Sequence, residues 1–265
     1  MNAEAPEFWH HGLIAEWWAT FNHGGPEIEY FGRFIANAQP ALDAGCGTGR
    51  LLIPWLQAGY DVDGADASAD MVDRAIEKAT SLGLDPNVWV SPLHELDSVR
   101  RYKTIVVCGV LGLGTTRRED QEGLCRVYEL LEPGGTLLLD NEVPYASEGR
   151  WMAWLPSEQL NFPEPWPEHG ERTPAGDGIE YELRGRTLSF DSLDQSQWRE
   201  IRAEKWQNGE LVAAEDHRML IRSYFRDELI LMLERAGFVD ISVRGGYAEI
   251  SDPAHDFLVF HAHRL

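Results

Sequence analysis

The chain has 265 residues and a formal net charge of −21, with 43% hydrophobic and 25% charged residues. This length allows one large domain or a domain with an appended subdomain, and the apolar content is sufficient for a core. The negative charge disfavours nucleic acids and anionic membrane surfaces as partners. We find no run of about eighteen apolar residues that would predict a transmembrane helix.

Cysteine content and the first residues bear on location. Cys46, Cys108 and Cys125 are scattered along the chain and predict neither a disulfide framework nor a zinc site. The opening residues have neither the basic nor the apolar region of a signal peptide. These features predict a cytoplasmic protein.

Helical and extended patterns alternate from residue 26 to residue 140. Pro26 suits the first turn of a helix over 26–38, in which Ile28, Phe31 and Phe34 share a face. The predicted strands that follow are 41–45, 60–66, 87–91, 103–109 and 136–140, and the predicted helices between them are 49–59, 68–83 and 118–135. Strands that alternate with helices indicate parallel βαβ units and a doubly wound sheet.

After residue 142 the pattern changes. Residues 144–178 are rich in Pro, Gly and Trp and show no period. Three antiparallel strands are predicted next, at 179–190, 197–207 and 210–221, and Asn208–Gly209 is typical of the turn of a hairpin. A helix over 225–237 and strands over 239–245 and 256–263 close the chain.

The predicted fold is therefore α/β: a doubly wound, mostly parallel seven-stranded sheet with an antiparallel β insert after the fifth strand. Four segments follow from this pattern. They are an N-terminal helical segment (1–38), a ligand-binding core (39–143), a substrate-side insert (144–224), and a final helix with two strands that completes the core sheet (225–265).

The stretch "LDAGCGTGR" places Gly45, Gly47 and Gly49 between the first strand and its helix. In a doubly wound sheet, ligands bind at this turn, and glycines let the main chain approach them. The alternative is a turn that only packs the helix on the sheet. Asp66 ends the second strand, where a carboxylate can accept hydrogen bonds from ribose hydroxyls; alternatively, it is a charge before the helix cap Ser68.

"LDAGCGTGR" and "GADASADMVDRA" resemble the first two motifs of the Rossmann-like (class I) methyltransferases that use S-adenosylmethionine. "LLEPGGTLLLD" and "RAGFVDISVRG" resemble later segments of the same family. The resemblance covers residues 27–142 and 225–262. A dinucleotide site would have a glycine where this chain has Arg50.

The resemblance implies S-adenosylmethionine as cofactor, S-adenosylhomocysteine as product, and a set of contacts. Asp43 would lie near the methionine end, Asp66 would hold the ribose, and Tyr30 and Arg33 would meet the carboxylate, unless those two are ordinary helix-surface residues. The other implied contacts are Gly45, Cys46, Gly47 and Gly49 beneath the methionine end and ribose, Ala67 and Met71 at the adenine, Leu93 and His94 where the family often has an acidic residue, and the carbonyls of Cys108 and Gly109 at the ammonium.

Methyl transfer needs an aligned nucleophile, about 3 to 3.5 Å from the methyl carbon, and a base for any proton that the nucleophile loses. No metal is required, and the "HAH" stretch at 261–263 is interpreted as an alternating pair at an exposed end. The candidates for the base are His217, Tyr224 and Glu142, and the candidates for substrate contact are Tyr145, Trp151, Trp154, Trp166, Arg222 and Tyr247. His217 alternatively faces solvent, and the tryptophans alternatively pack a small core of the insert.

These observations predict a methyltransferase that acts on the N or O of a small molecule. The layout of the insert is similar to that of methyltransferases of small metabolites, including amino-sugar N-methyltransferases. Three alternatives stay open: methylation of a protein whose basic tail the acidic surface attracts, a non-catalytic protein that binds S-adenosylmethionine, and an NAD(P)-linked oxidoreductase on a related fold. The expected partner is a small-molecule substrate, without nucleic acid or membrane, and the expected assembly is a monomer or homodimer.

Overall fold

A computed structural model describes residues 9–155, 161–248 and 255–265. The first eight residues, on which the signal-peptide argument depends, lie outside this part. The helices are α1 (Gly12–Phe21), α2 (Pro26–Ile35), α3 (Leu52–Gln57), α4 (Ala69–Ser81), α5 (Arg117–Leu130), α6 (Glu148–Met152) and α7 (Arg226–Ala236). The strands are β1 (Ala41–Ala44), β2 (Val62–Asp66), β3 (Val88–Val90), β4 (Tyr102–Val107), β5 (Leu131–Glu142), β6 (Glu171–Gly176), β7 (Ile179–Asp191), β8 (Ser196–Gln207), β9 (Glu210–Arg222), β10 (Val239–Gly245) and β11 (Phe257–His263).

Seven strands form one sheet in the order β10-β11-β5-β4-β1-β2-β3. The strands from β5 to β3 are parallel, whereas β11 runs antiparallel to both β5 and β10. The predicted α/β fold is confirmed. From β1 the chain continues to β2 and β3 on one side, and from β4 it continues to β5 on the other side. The switch in strand order therefore lies between β1 and β4, and a ligand site is expected at their carboxyl ends.

The core occupies both faces of this sheet, as alternate residues of β4 show. Ile105 and Val107 belong to the cluster that α5 and α7 cover, and Val106 belongs to the cluster beneath α2 and α3. All three side chains are 0% exposed. Burying each contributes on the order of 1.5 to 3 kcal/mol. A strand covered on both faces is therefore continuously apolar, and its polar neighbours appear only at its ends.

Local sequence signals set the helix that follows β2. The Ser68 hydroxyl accepts a hydrogen bond from the Met71 N–H at 3.2 Å, so Ser68 is the predicted N-cap of α4. Thr116 and Glu119 form a capping box at the start of α5. The helices that follow β2 and β4 therefore each begin at a capped residue. These caps set where each chain segment turns at the edge of the sheet that carries the site.

The insert is a four-stranded antiparallel sheet in the order β6-β7-β8-β9. Both residues of the turn Asn208–Gly209 have positive φ, 51° and 84°, as does the pair Asp177–Gly178, at 51° and 74°. These are the backbone angles of two-residue hairpin turns. The strand β6 lies in the stretch that showed no period, but Asp177–Gly178 is an Asp-Gly hairpin signal in that stretch.

The helix α1 connects the two sheets. Leu13 and Ile14 pack on Ala203 of β8, while the Gly12 N–H donates to the Asp70 carboxylate of α4 at 2.7 Å. The sequence pattern predicts a helical N-terminal segment, and the structure gives its first helix these bounds. None of the helices in the described residues is long and apolar enough to cross a membrane.

Candidate active site

The first cavity lies at the carboxyl ends of β1, β2 and β4 and has a volume of about 550 Å³. We call it the switch-point cavity. A volume of this size is ordinary for a small-molecule or cofactor site. The predicted contacts that line it are Asp43, Gly45, Cys46, Gly47, Asp66, Ala67, Met71, Leu93, His94, Cys108 and Gly109. The sequence motifs therefore meet in one place.

The three glycines of the first turn have different surroundings. A Cβ at Gly45 would lie 2.1 Å from a methyl of Val110, and a Cβ at Gly49 would lie 2.8 Å from a methyl of Ile53. A Cβ at Gly47 would meet no atom within 4 Å, although φ is +54°. Gly45 and Gly49 thus permit close packing, and Gly47 is the glycine that leaves open space beside the cavity.

Asp66 ties this turn to the second motif. Its carboxylate accepts the Gly47 N–H at 2.8 Å and the Ser68 N–H at 2.9 Å. Burial raises the pKa of Asp66, and the two amides and the nearby His10 oppose that rise. Two amide donors leave a carboxylate with further acceptor capacity, so Asp66 can still accept from hydroxyls in the cavity.

Asp43 is a buried carboxylate at the end of β1, 1% exposed. Among the described residues, neither of its oxygens makes a hydrogen bond of good geometry, although the Leu52 amide lies near enough to lower its pKa. Burial, and secondarily the charge of Asp66, raise the pKa of Asp43 to about 8. A buried carboxylate without a partner favours a cationic ligand, because an opposite charge compensates its lost hydration.

The switch-point cavity also has lining residues that the sequence motifs did not predict. His10, Trp18 and Asn22 come from α1 or its flanks. Arg50 is the only Lys or Arg among the described lining residues. Its guanidinium pairs with Glu27 and donates to the Gly24 carbonyl at 3.2 Å. The apolar spacing of "LIAEWWATF" is a helical signal that could have found α1, but its position over the cavity depends on tertiary packing.

Tyr30 and Arg33, in contrast, do not line this cavity. Tyr30 is buried, and its hydroxyl lies 2.7 Å from Nε2 of His261. Arg33 is exposed on α2. The residues that the resemblance assigned to the cofactor carboxylate are therefore both outside the cavity, and Arg50 is inside it.

The second cavity lies between the sheet and the insert and has a volume of about 460 Å³. We call it the insert cavity. It shares Gly109, Val110 and Leu113 with the switch-point cavity, so the two spaces adjoin beyond the end of β4. Its titratable lining residues are Asp140, Glu142, Glu164, Arg199 and Arg222, and its aromatic lining residues are Trp154, Phe162, Phe190 and Phe257.

Asp140 stands where the two cavities adjoin. Its carboxylate accepts the Cys108 thiol at 2.9 Å and the Gly109 N–H at 2.6 Å, and the Tyr247 hydroxyl also donates to it. Burial raises the pKa of the Tyr247 hydroxyl, and the charge of Asp140 raises it further. Tyr247 therefore remains protonated and donates a hydrogen bond to Asp140, but it does not line the insert cavity.

The substrate-contact candidates divide between the insert cavity and other places. Trp154 and Glu142 line it, and so does Arg222, whose guanidinium pairs with Asp194 at 3.0 Å. Tyr145 and Trp151 are 49% and 41% exposed and contact each other edge to face. Trp166 lies outside both linings, with Arg186 stacked 4.5 Å from its ring centroid.

His217 and Tyr224, two of the three predicted bases, lie outside both cavities. The two ring nitrogens of His217 face His11 at 3.2 Å and Glu215 at 3.0 Å, and burial lowers its pKa. Tyr224 is 0% exposed and donates its hydroxyl to Asp120. Burial, followed by the Asp120 charge, raises the pKa of Tyr224, so this hydroxyl does not act as a base at neutral pH.

Within the described part of the chain, no group of three His, Cys, Asp or Glu side chains is arranged to hold a metal ion. His261 contacts the Tyr30 hydroxyl, and burial lowers the pKa of His261 to about 4. His263 lies 3.1 Å from the Thr136 hydroxyl. The two histidines of the "HAH" stretch therefore have separate partners.

The segment that builds the switch-point cavity matches a known protein family. The sequence profile of a family described as "Methyltransferase domain" matches residues 41–135, the segment that builds most of the switch-point cavity. Residues 41–135 are a methyltransferase domain. The predicted family is thereby confirmed, and methyltransferase domains of this class use S-adenosylmethionine as methyl donor.

Relatives of the methyltransferase domain agree with this assignment. A Geobacillus sp. protein named "Putative methyltransferase" is 28% identical over 150 residues, which are 55% of this chain and 59% of the relative. The chain thus matches its curated relatives over less than two thirds of their length.

Solved structures extend the likeness in fold beyond the methyltransferase domain. The CcbJ methyltransferase from Streptomyces caelestis aligns with a TM-score of 0.70 at 21% identity, over 95% of each chain. The sugar N-methyltransferase KedS8 from a Streptoalloteichus species aligns with a TM-score of 0.66 at 15% identity, over 100% of this chain and 98% of that one. At these identities the likeness concerns the fold, and it includes the insert.

Proposed function

We propose that the protein transfers a methyl group from S-adenosylmethionine to an amine nitrogen of a small molecule. The cofactor occupies the switch-point cavity and the acceptor occupies the insert cavity. The observation that carries the proposal is the buried Asp140 carboxylate, which lines the insert cavity and is hydrogen-bonded to Cys108 and Gly109 of the switch-point cavity.

The residues of the switch-point cavity fit this cofactor. S-adenosylmethionine carries a sulfonium and an ammonium, and Asp43 is a buried carboxylate that lacks a well-formed hydrogen bond among the described residues. Asp66 holds the ribose hydroxyls, and the open space beside Gly47 admits the ligand. Arg50 binds the carboxylate of the methionine end, since no other Lys or Arg is found among the described lining residues.

When bound, the cofactor would supply a sulfonium methyl carbon for in-line attack, in which the N–C bond forms as the C–S bond breaks and S-adenosylhomocysteine leaves. The chain itself has to align the acceptor and exclude water. Gly109, Val110 and Leu113 form the boundary across which the acceptor must face the methyl carbon. The aromatic wall of Trp154 and Phe190, with ring centroids 5.1 Å apart, excludes water on the far side of the acceptor.

Charge in the insert cavity favours an amine. Three carboxylates, Asp140, Glu142 and Glu164, line it, and the charge of one of its two arginines, Arg222, is offset by Asp194. Acidic walls attract a protonated amine and disfavour anionic acceptors. A developing ammonium next to Asp140 is also stabilised during transfer, because a fixed negative charge lies where positive charge forms.

The protonated amine must lose a proton before its lone pair can attack. Glu142 is exposed at the rim of the insert cavity, two residues after Asp140 on the same strand. We assign Glu142 as the group that takes this proton and passes it to water. Glu142 is the one predicted base that lines a cavity.

The KedS8 structure supports the acceptor class, since that protein is a sugar N-methyltransferase with the same overall arrangement. The test is an assay of the purified protein with S-adenosylmethionine and matched pairs of small amines and the corresponding alcohols, followed by mass spectrometry. We expect S-adenosylhomocysteine and an N-methylated product from at least one amine. Methylation of alcohols alone would contradict the amine assignment, and absence of product with every pair would contradict catalysis.

The Asp140→Asn substitution tests the observation that carries the proposal. We expect kcat for the amine to fall by about 10- to 100-fold, equivalent to about 1.4 to 2.8 kcal/mol. Calorimetry should show S-adenosylmethionine affinity within about threefold of the original, because the amide can still accept the Gly109 N–H. A substitution of Glu129, which lies far along α5 and lines neither cavity, to Gln serves as the charge-matched control.

A further inference from the structure

The segment that follows β4, residues 108–116, separates the two cavities. Gly109, Val110 and Leu113 face both spaces, and Gly114 and Thr115 line the switch-point cavity. We call residues 108–116 the dividing segment. Its position decides how the acceptor meets the methyl carbon, and in-line displacement is sensitive to displacements of about 1 Å.

The insert sheet holds the dividing segment through its free edge. β9 is the last strand of the order β6-β7-β8-β9, so among the described residues its outer edge has no further strand of that sheet beside it. The Arg222 N–H donates to the Gly112 carbonyl, and the Gly114 N–H donates to the Leu220 carbonyl, both at 2.8 Å. Backbone groups at the outer edge of β9 are thereby paired with the dividing segment.

The glycine at residue 112 permits this pairing. Gly112 has a φ of +79°, and a Cβ there would lie 2.2 Å from the Arg222 carbonyl oxygen. The two backbones therefore approach more closely than any side chain would allow. A larger residue at 112 would move the dividing segment away from β9.

A buried carboxylate joins the same pieces from a third element. Asp120, in the first turn of α5, is 3% exposed. It accepts the Thr115 hydroxyl at 2.7 Å and the Tyr224 hydroxyl at 2.5 Å, and the Gly112 amide lies close enough to lower its pKa. Thr115 belongs to the dividing segment and Tyr224 follows β9, so the Asp120 side chain contacts both partners of the backbone pairing.

We propose that Asp120 and Tyr224 are positioning residues for methyl transfer. They hold the dividing segment against β9 and so set the alignment of the acceptor with the cofactor. This inference rests on the proposed function for its catalytic consequence. Neither side chain lines the switch-point cavity or the insert cavity, so their effect on the reaction passes through residues 108–116.

The chain contains a matched control pair at the opposite end of the sheet. Tyr102, the first residue of β4, donates its hydroxyl to Asp63 at 2.8 Å. Tyr102 and Tyr224 are both 0% exposed, and neither lines the switch-point cavity or the insert cavity. Tyr102→Phe and Tyr224→Phe therefore remove the same kind of buried hydrogen bond, and only Tyr224→Phe loosens the dividing segment.

The first measurement needs neither cofactor nor acceptor. Hydrogen exchange of the free protein should show the Gly114 and Arg222 amides exchanging about tenfold faster in Tyr224→Phe and in Asp120→Asn. In Tyr102→Phe these two amides should stay within about threefold of the original rate. Equal exchange in all variants, or equal acceleration in Tyr102→Phe, would overturn the inference.

The second measurement is the single-turnover rate at saturating S-adenosylmethionine with the amine found in the acceptor assay. Tyr224→Phe should lower this rate about tenfold, with cofactor affinity within about threefold, and Tyr102→Phe should leave it within about twofold. Equal rates in the two variants would contradict the positioning role. An original protein without turnover counts against the proposed function instead, and the exchange measurement then decides alone whether Asp120 and Tyr224 hold the dividing segment.

Discussion

The two cavities are built in opposite ways. The switch-point cavity takes most of its lining from short, consecutive turns at the ends of β1, β2 and β4. The insert cavity takes its lining from β5, α6, the insert strands and the start of β11, which are far apart in sequence. The residues that line the cofactor site therefore come mostly from local sequence motifs. The residues that line the acceptor site come together only when distant segments pack.

This difference indicates that the insert cavity determines the specificity for the acceptor. A methyl donor is common to many acceptors, and its site depends on backbone groups that a few glycines expose. The acceptor site depends on side chains such as Asp140 and Trp154, which can change without disturbing those glycines. If this division holds, substitutions in the first cavity should change cofactor affinity alone, and those in the second should change the transfer rate.

The largest effect is expected at Gly47. In Gly47→Val the added side chain fills the open space beside the cavity, and we expect S-adenosylmethionine affinity to fall at least about 100-fold by calorimetry. Gly59→Val is the control, because Gly59 also has positive φ (79°) and no atom within 4 Å of its Cβ position, yet lines neither of the two cavities. Equal affinity in the two variants would remove the reason given for this glycine.

The next effect is expected at Asp66. Asp66→Ala removes the acceptor of the ribose hydroxyls and should weaken S-adenosylmethionine by about 1 to 3 kcal/mol, measured by calorimetry on a folded variant. Asp73→Ala, an exposed carboxylate on the next helix, is the control. Unchanged affinity in Asp66→Ala would contradict the ribose assignment. It would also contradict the expectation that substitutions in the switch-point cavity change cofactor affinity.

A pH dependence follows from Asp43. In the free protein the pKa of Asp43 is about 8, so its carboxyl is mostly protonated at pH 6. A cation beside it lowers this pKa, so binding releases a proton and affinity rises with pH until about pH 8. We expect a rise on the order of tenfold between pH 6 and pH 8 by calorimetry.

The comparison for Asp43 is the Asp43→Asn variant, in which the affinity should vary much less over the same range. This subtraction also removes the titration of the ligand's own amino group, which occurs near pH 8. The same slope in both proteins would show that Asp43 does not face the cation.

The smallest effect separates two arginines. Arg50→Ala should weaken S-adenosylmethionine by about 1 kcal/mol, since the guanidinium lines the switch-point cavity but is already paired with Glu27. Arg33→Ala should leave the affinity unchanged, because Arg33 is exposed outside the cavity. The reverse ranking would support the assignment made from family resemblance.

How much of this the sequence could predict follows from the same division. The parallel order of β1 to β5 follows from alternating strands and helices, and the glycine turn with Asp66 located the switch-point cavity. The insert was predicted as three strands, and β6 was missed despite the Asp177–Gly178 turn. Continuous patterns were therefore sufficient for the core.

Side chains that meet through tertiary packing could not be placed in the same way. Asp140 follows the apolar run of β5 and has no local pattern that distinguishes it from Glu142, yet it is the one hydrogen-bonded to Gly109. His217 and Tyr224 looked suitable by chemistry and position along the chain, but their partners, His11 and Asp120, come from distant elements. Their roles depend on contacts across more than 100 residues of sequence.

The most direct test is a crystal structure of the complex with S-adenosylhomocysteine. We expect the ribose hydroxyls on Asp66 and the sulfur facing the insert cavity across Gly109, within reach of an acceptor held by Asp140. A ligand bound elsewhere, or a sulfur that faces away from the insert cavity, would contradict it.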